Sequence, residues 1–244
     1  MSGHSKWSTI KHKKGAADAK RGRIFTRLIK ELTVAAREGG GNVDTNARLR
    51  KAFDDAKAAN MPADNIKRAI QRGTGELPGV QYEEITFEGY GPGGAAIFIE
   101  ALTDNKNRTL PEIRHMFTKN GGNLGESGCV RFMFDKKGYI AVERDKIGED
   151  KLMEIALEAG ADDLVTDDSE YFEIYTAPEA LQDVKSALEA KGVPVAASET
   201  SMIPQTPVKL DEAKSAQLMK LMEAIEEHDD VQNVWTAAEL PESA

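Results

Sequence analysis

The chain has a single cysteine, Cys129, two tryptophans and four histidines in 244 residues. One thiol excludes an intramolecular disulfide framework and any zinc site built on several cysteines. His4, His12, His115 and His228 stand far apart with no i, i+4 pair, so neither a metal nor any other cofactor is expected. No stretch approaches the ~18 uninterrupted apolar residues of a membrane span. The opening Met1–Trp7 runs into Lys11-His-Lys-Lys14 without the apolar core of a secretory signal. The expectation is a protein of a reducing cytoplasm with no membrane partner.

What is present is a 40% apolar share spread at regular periods, enough to build one large or two to three small cores. The formal net charge of −9, from 32 basic and 41 acidic side chains, argues on its own against nucleic acid. Its distribution argues the reverse. Residues 1–72 hold 17 bases and 7 acids, a local charge of +10, which leaves 15 bases and 34 acids, or −19, for the remainder. A basic head on an acidic body is the electrostatic sign of a polyanion-binding module.

The first 75 residues read as helix. Between Asp18 and Glu38, Phe25, Leu28, Ile29, Leu32 and Ala36 recur at three- and four-residue steps, and Gly39-Gly-Gly41 stops the pattern. Asp44 is the expected N-cap of a second helix carrying Leu49, Ala52, Phe53 and Ala56 inward. A third opens at Pro62, buries Ile66, Ala69 and Ile70, and ends at Gly73. After Leu77-Pro-Gly79 the period becomes extended. Tyr82–Phe87 and Ala95–Leu102 read as strands around the Gly89-Tyr-Gly-Pro-Gly-Gly94 turn, and Val130–Phe134 as a third. Between them Thr109-Leu-Pro-Glu112 has the pattern of a capping box, which predicts a helix over 110–120.

Residues 136–203 repeat the order strand, helix, strand, strand, helix, strand, the split-βαβ or ferredoxin-like unit. Its strands are expected at 139–142, 163–166, 171–175 and 193–198, its helices at 149–158 and 178–190. A last helix over 211–227, with Leu218, Leu221, Met222 and Ile225 on one face, and a strand at 231–235 are expected to complete the earlier sheet. The predicted class is therefore α+β in three domains. These are an N-terminal three-helix domain (1–78), a central α/β domain (79–135 plus 205–240), and a ferredoxin-like βαββαβ domain (136–204) inserted into it.

The binding surface is expected on the head. At 100° per residue along the first helix the core stripe spans roughly 80–180° and Arg23, Arg27, Lys30 and Arg37 roughly 260–340°, the opposite face. Lys6, Lys11, Lys13, Lys14, Lys20 and Arg21 extend this stripe into a tail with Trp7 and His12 embedded, residue types that contact phosphates and stack on a base. Arg48, Arg50, Lys51, Arg68 and Arg72 widen it. The plainer alternative is a solvated helix face. No zinc finger, basic zipper or aromatic ribonucleoprotein motif is present, which favours phosphate and shape contacts over a base code. A second candidate is Thr103-Asp-Asn-Lys-Asn-Arg-Thr109, a polar loop before a helix. There Asn105, Asn107 and Arg108 either hold an external anion or belong to a loop wired by its own caps.

Enzyme motifs are weak. Gly91-x-Gly-x-x-Ala96 matches a dinucleotide fingerprint loosely but precedes a strand, where the fingerprint must open a helix. Gly121–Gly128 has the glycines of a phosphate loop without its Lys-Ser/Thr. Cys129 has no neighbouring His or Lys to activate it. No catalytic residue and no small-molecule substrate are expected.

Gly3-His-Ser-Lys-Trp7, Lys20-Arg-Gly-Arg-Ile-Phe25, Asn60-Met-Pro62, Phe87–Gly94, Thr103–Thr109, Gly121–Gly125 and Ser201-Met-Ile-Pro204 together resemble the YebC family, in order and over almost the whole chain. The resemblance implies the three-domain build and a bacterial cytoplasmic protein of the kind described as a probable transcriptional regulator that binds DNA. It also implies an alternative. Other members are a mitochondrial translational activator and proteins linked to ribosomes stalled on proline-rich stretches, so the polyanion is either DNA or ribosomal RNA. Further protein contacts are expected through the acidic domains.

Overall fold

The computed structural model describes residues 18–168 and 170–239, with side chains from residue 21 onward. They divide into two compact units, one of residues 18–129 and 216–234, the other of 130–215 and 235–239.

The first unit begins with three helices, α1 (Asp18–Gly39), α2 (Ala47–Ala58) and α3 (Ala63–Gly73). Their apolar stripes meet in one core of Leu32, Leu49, Ala52, Ala56, Met61, Ile66 and Ala69. Helices α1 and α3 lie close because Gly73 has no side chain; a Cβ there would fall 2.4 Å from the Thr33 carbonyl oxygen. The cap of α2 is Asn46, not Asp44. Asp44 is held by its own N–H to Asn42 Oδ1 at 2.9 Å, while the buried Asn46 accepts from Leu49 N at 3.0 Å and donates to the carbonyls of Ala35 and Gly40. One buried carboxamide thus caps α2 with one bond and ties its start to the end of α1 with two more, a reward that local sequence does not display.

Strands β1 (Glu83–Tyr90) and β2 (Ala96–Thr103) pair antiparallel in the register Phe87↔Ile99. Helix α4 (Lys106–Lys119) and the two-residue β3 (Asn123–Leu124) follow. The sheet order is β3-β1-β2-β9, where β9 is Val231–Thr236, so the closing segment of the chain does join this sheet. Helix α7 (Glu212–Glu226) buries Leu218, Leu221, Met222 and Ile225, and its residues from Ala216 on belong to this unit. The glycine-rich turn between β1 and β2 has two physical reasons. Gly93 adopts φ 75°, and a Cβ on Gly91 would come within 2.8 Å of Leu218 and 2.9 Å of Ile97.

Helix α4 starts earlier than the capping box predicts. Asn105 is its cap, Pro111 falls in its second turn, and Thr109 is fully buried inside the helix. The Thr-x-x-Glu pattern is outcompeted by bonds that Thr103, Arg108 and Thr109 make to Asp230.

In the second unit, β4 (Phe134–Glu143), α5 (Glu149–Glu158), β5 (Asp163–Val165), β6 (Tyr171–Thr176), α6 (Leu181–Ala190) and β7 (Ala197–Pro204) give a sheet of order β5-β6-β4-β7. With its antiparallel pairs this is the split-βαβ arrangement. Ile140, Val142, Leu152, Phe172, Ile174 and Leu188 are among its core. Two expected strands are corrected. Residues 131–133 form a 3₁₀ turn with Phe132 exposed, and the strand starts at Phe134, where its pairing with Pro204 begins. The last strand lies at 197–204, not 193–198, because Val193 is taken into the core ahead of it. Strands β8 (Val208–Lys209) and β10 (Ala238–Glu239) add a short parallel pair.

Candidate nucleic-acid interface

Periodicity puts Arg23, Arg27, Lys30 and Arg37 of α1 opposite the helical core, but that face does not meet solvent as expected. Lys30 is buried, its Nζ 2.6 Å from Asp230 Oδ1 and donating to the carbonyls of Asp229 (2.9 Å) and Leu102 (3.2 Å). Arg27 is half-buried and donates to the Glu226 carbonyl; burial lowers its pKa, against the raising influence of the Glu226 carboxylate. Arg23 pairs with Glu227 at 3.2 Å, and Arg37 donates to the Tyr82 carbonyl at 2.7 Å. The stripe is thus largely spent on the acidic segment 226–230 of the same unit. Lys30 and Arg27 are corrected from phosphate contacts to internal partners, because Lys30 has its three donors engaged within the protein and Arg27 is desolvated by burial against the Glu226 carbonyl.

At Thr103–Thr109 the polar side chains are engaged within the protein, as in the alternative of a loop wired by its own bonds. Asn105 Oδ1 accepts from Arg108 N, and the Arg108 guanidinium binds Asp104 at 2.9 Å and Asp230 at 2.7 Å. Thr103 and Thr109 hydroxyls donate to Asp230 Oδ2 at 3.0 and 2.7 Å. The side chains at the start of α4 already hold an anion, the Asp230 carboxylate. Burial opposes ionisation of this carboxyl, but donors from Lys30, Thr109 and Arg108 together hold its pKa well below the ordinary range. Asn107 stays exposed at the rim.

Several remaining basic residues of the head are also engaged. Arg48 bridges Glu31, Glu38 and Glu84, Arg50 donates to the Val43 and Asp44 carbonyls, and Lys51 pairs with Asp55. Arg21, Lys67, Arg68 and Arg72 are exposed with no carboxylate partner among the described residues. The last three lie on α3. With Ile66, Ala69 and Ile70 turned toward the core, 67, 68, 71 and 72 fall on the outer face. Lys67 was not among the sequence-derived candidates, although the α3 periodicity carried the signal. Lys6, Trp7, Lys11, His12, Lys13 and Lys14 lie outside the described residues, as does the side chain of Lys20.

Two open cavities adjoin these elements. One, of about 430 Å³, is lined by Ile29, Thr33, Arg72, Gly79, Val80 and Tyr82. The other, of about 390 Å³, lies between α4 and the end of α7, with His115, Lys119, Glu227 and His228 on its walls. His228 Nε2 is 2.9 Å from Glu112, and its Nδ1 accepts from Asp230 N at 3.1 Å. Among the described residues no cluster of metal-ligating side chains occurs, and no helix is long and apolar enough to cross a membrane.

These features define a mixed α/β protein with antiparallel sheets and a cationic helical module. Residues 5–76 match the TACO1/YebC protein N-terminal domain, and residues 82–238 the TACO1/YebC second and third domain. The chain belongs to this family. It is 57% identical over 242 residues to a probable transcriptional regulatory protein of Desulforapulum autotrophicum, covering 99% of this chain and 98% of that one. It is 60% identical over 235 residues to one of Geobacter sulfurreducens, covering 96% and 94%. The crystal structure of a conserved hypothetical protein from Aquifex aeolicus superposes with a TM-score of 0.84 at 50% identity, covering 96% of both chains.

Proposed function

We propose that this chain is a non-enzymatic, cytoplasmic regulator that binds nucleic acid through the phosphate backbone, with DNA as the leading target. The observation that carries the reading is the separation of charge, +10 in residues 1–72 against −19 elsewhere, together with the unpartnered outer face of α3. Cations of the tail, Arg21, Lys67, Arg68 and Arg72 attract phosphates, while the acidic body disfavours non-productive contacts with the same polymer. Relatives named as probable transcriptional regulatory proteins support the DNA target.

A ribosome- or RNA-associated translation factor is the second reading. It is favoured by the cavity beside Arg72, which Tyr82 lines, because an aromatic cleft suits unpaired bases more than a closed duplex. Crosslinking in cells followed by sequencing of both bound DNA and bound RNA separates the two. Enrichment of promoter fragments supports the first reading and enrichment of ribosomal RNA the second. Recovery of neither would leave a protein-interaction scaffold and overturn both.

A further inference from the structure

The cleft between α1, α3 and the 78–82 segment joins three kinds of surface. Arg72 brings a cation from the outer face of α3, with Lys67 and Arg68 about 7 Å further back along the helix axis. Ile29 and Val80 bring apolar walls, and Val80 is 52% exposed. Tyr82 brings an aromatic ring with Lys30 Nζ 5.5 Å from its centroid, and its backbone carbonyl accepts from Arg37. The backbone polar groups of Gly79, Val80 and Gln81 make no hydrogen bond with described residues, so an open strip of donors and acceptors borders the cleft. At about 430 Å³ the space falls in the range of small-ligand sites.

A purely electrostatic duplex-binding face needs cations alone. Here an aromatic residue, apolar walls and unpaired backbone groups sit at the end of a cationic helix face, the combination that takes a splayed-out base while its phosphates follow the charges. We propose that this cleft receives an unpaired base of single-stranded RNA, with Tyr82 and Val80 against the base and Arg72, Arg68 and Lys67 on the flanking phosphates. RNA is the assigned source because its loops and bulges present unpaired bases, whereas cellular DNA is mostly paired. The proposal rests on the second, RNA-associated reading above and adds to it the strand type and the site.

The test measures binding of the full chain to a labelled single-stranded RNA, to the same sequence as an RNA duplex, and to the single DNA strand. The expected result is tightest binding to the single RNA strand, and roughly 10-fold or greater loss with Tyr82→Ala, the scale set by base–aromatic stacking. Tyr82→Phe should retain binding. Val80→Glu, at an exposed position, should lose it without disturbing the fold, which covers the case in which Tyr82→Ala destabilises the protein. Equal affinity for the duplex, or unchanged binding by both Tyr82→Ala and Val80→Glu, would overturn the cleft proposal while leaving phosphate binding intact. Equal affinity for the DNA strand would overturn the assignment to RNA. If the wild-type chain bound none of the polymers, the nucleic-acid reading itself would fall.

Discussion

Lys30 and Asp230, two hundred residues apart, form an ion pair of 2.6 Å in which the side chains are only 7% and 3% exposed. The pair draws α1, the end of β2, the start of α4 and the start of β9 to one point, since Asp230 also receives Thr103, Thr109 and Arg108. A carboxylate with this many donors acts as a structural anion. It takes up the side-chain donors of Thr103, Arg108 and Thr109 at the start of α4.

Removing that anion leaves a buried ammonium unpaired. Asp230→Ala should cost about 3–5 kcal/mol, the usual penalty for breaking a buried pair from one side. The double variant Lys30→Met with Asp230→Ala should cost clearly less than the sum of the two singles, because it strands no charge at Lys30. Urea unfolding of the four proteins measures the coupling; strict additivity would show that the pair does not interact.

Acid should act through the same residue. The folded-state pKa of Asp230 lies below its unfolded value, so its stabilising contribution is complete above the unfolded value of about 4 and is lost progressively as pH falls toward the folded one. Wild-type stability should therefore decline below about pH 4 more steeply than that of Asp230→Asn. Parallel profiles of urea midpoint against pH would contradict this.

Asn46 fixes the start of α2 through three bonds, two of them to carbonyls at the end of α1. Asn46→Ala should lower stability by about 1–2 kcal/mol, above a simple surface cap, because it also removes the donor that the Ala35 and Gly40 carbonyls share. Asn46→Asp keeps the acceptor and loses the donor, so it should not restore wild-type stability. Thermal unfolding of the two variants gives the comparison.

Affinity for polyanions should follow the cations of the tail and of the outer face of α3. Replacing Lys11, Lys13 and Lys14 by Glu, or Lys67 and Arg68 by Glu, should flatten the salt dependence of binding, each lost phosphate contact removing about 0.7–0.9 from the slope of log K against log salt. Lys30→Gln should reduce stability and leave the slope unchanged, in contrast to its place in the stripe drawn from sequence. Binding titrations between about 50 and 200 mM salt distinguish the two groups; an unchanged slope in the tail and α3 variants would remove the head from the interface.

Sequence alone determined the elements that local physics controls. The three- and four-residue steps of Phe25, Leu28, Ile29, Leu32 and Ala36 specify an amphipathic helix. The alternation through 139–142 and 171–175 specifies strands, and the asymmetry of charge between head and body is a property of the chain itself. Tertiary structure decided what no single segment contains: which cations are spent. Arg27 and Lys30 have the same residue types and helical spacing as a phosphate-binding stripe, and only the return of residues 226–230 past α1 makes them internal partners. Thr109 looks like a cap until Asp230 is placed beside it, and Asn46 outcompetes Asp44 because the end of α1 comes within reach. Charge count is additive along a sequence, but the availability of a charge depends on desolvation and partners, and both are set by contacts between residues distant in the chain.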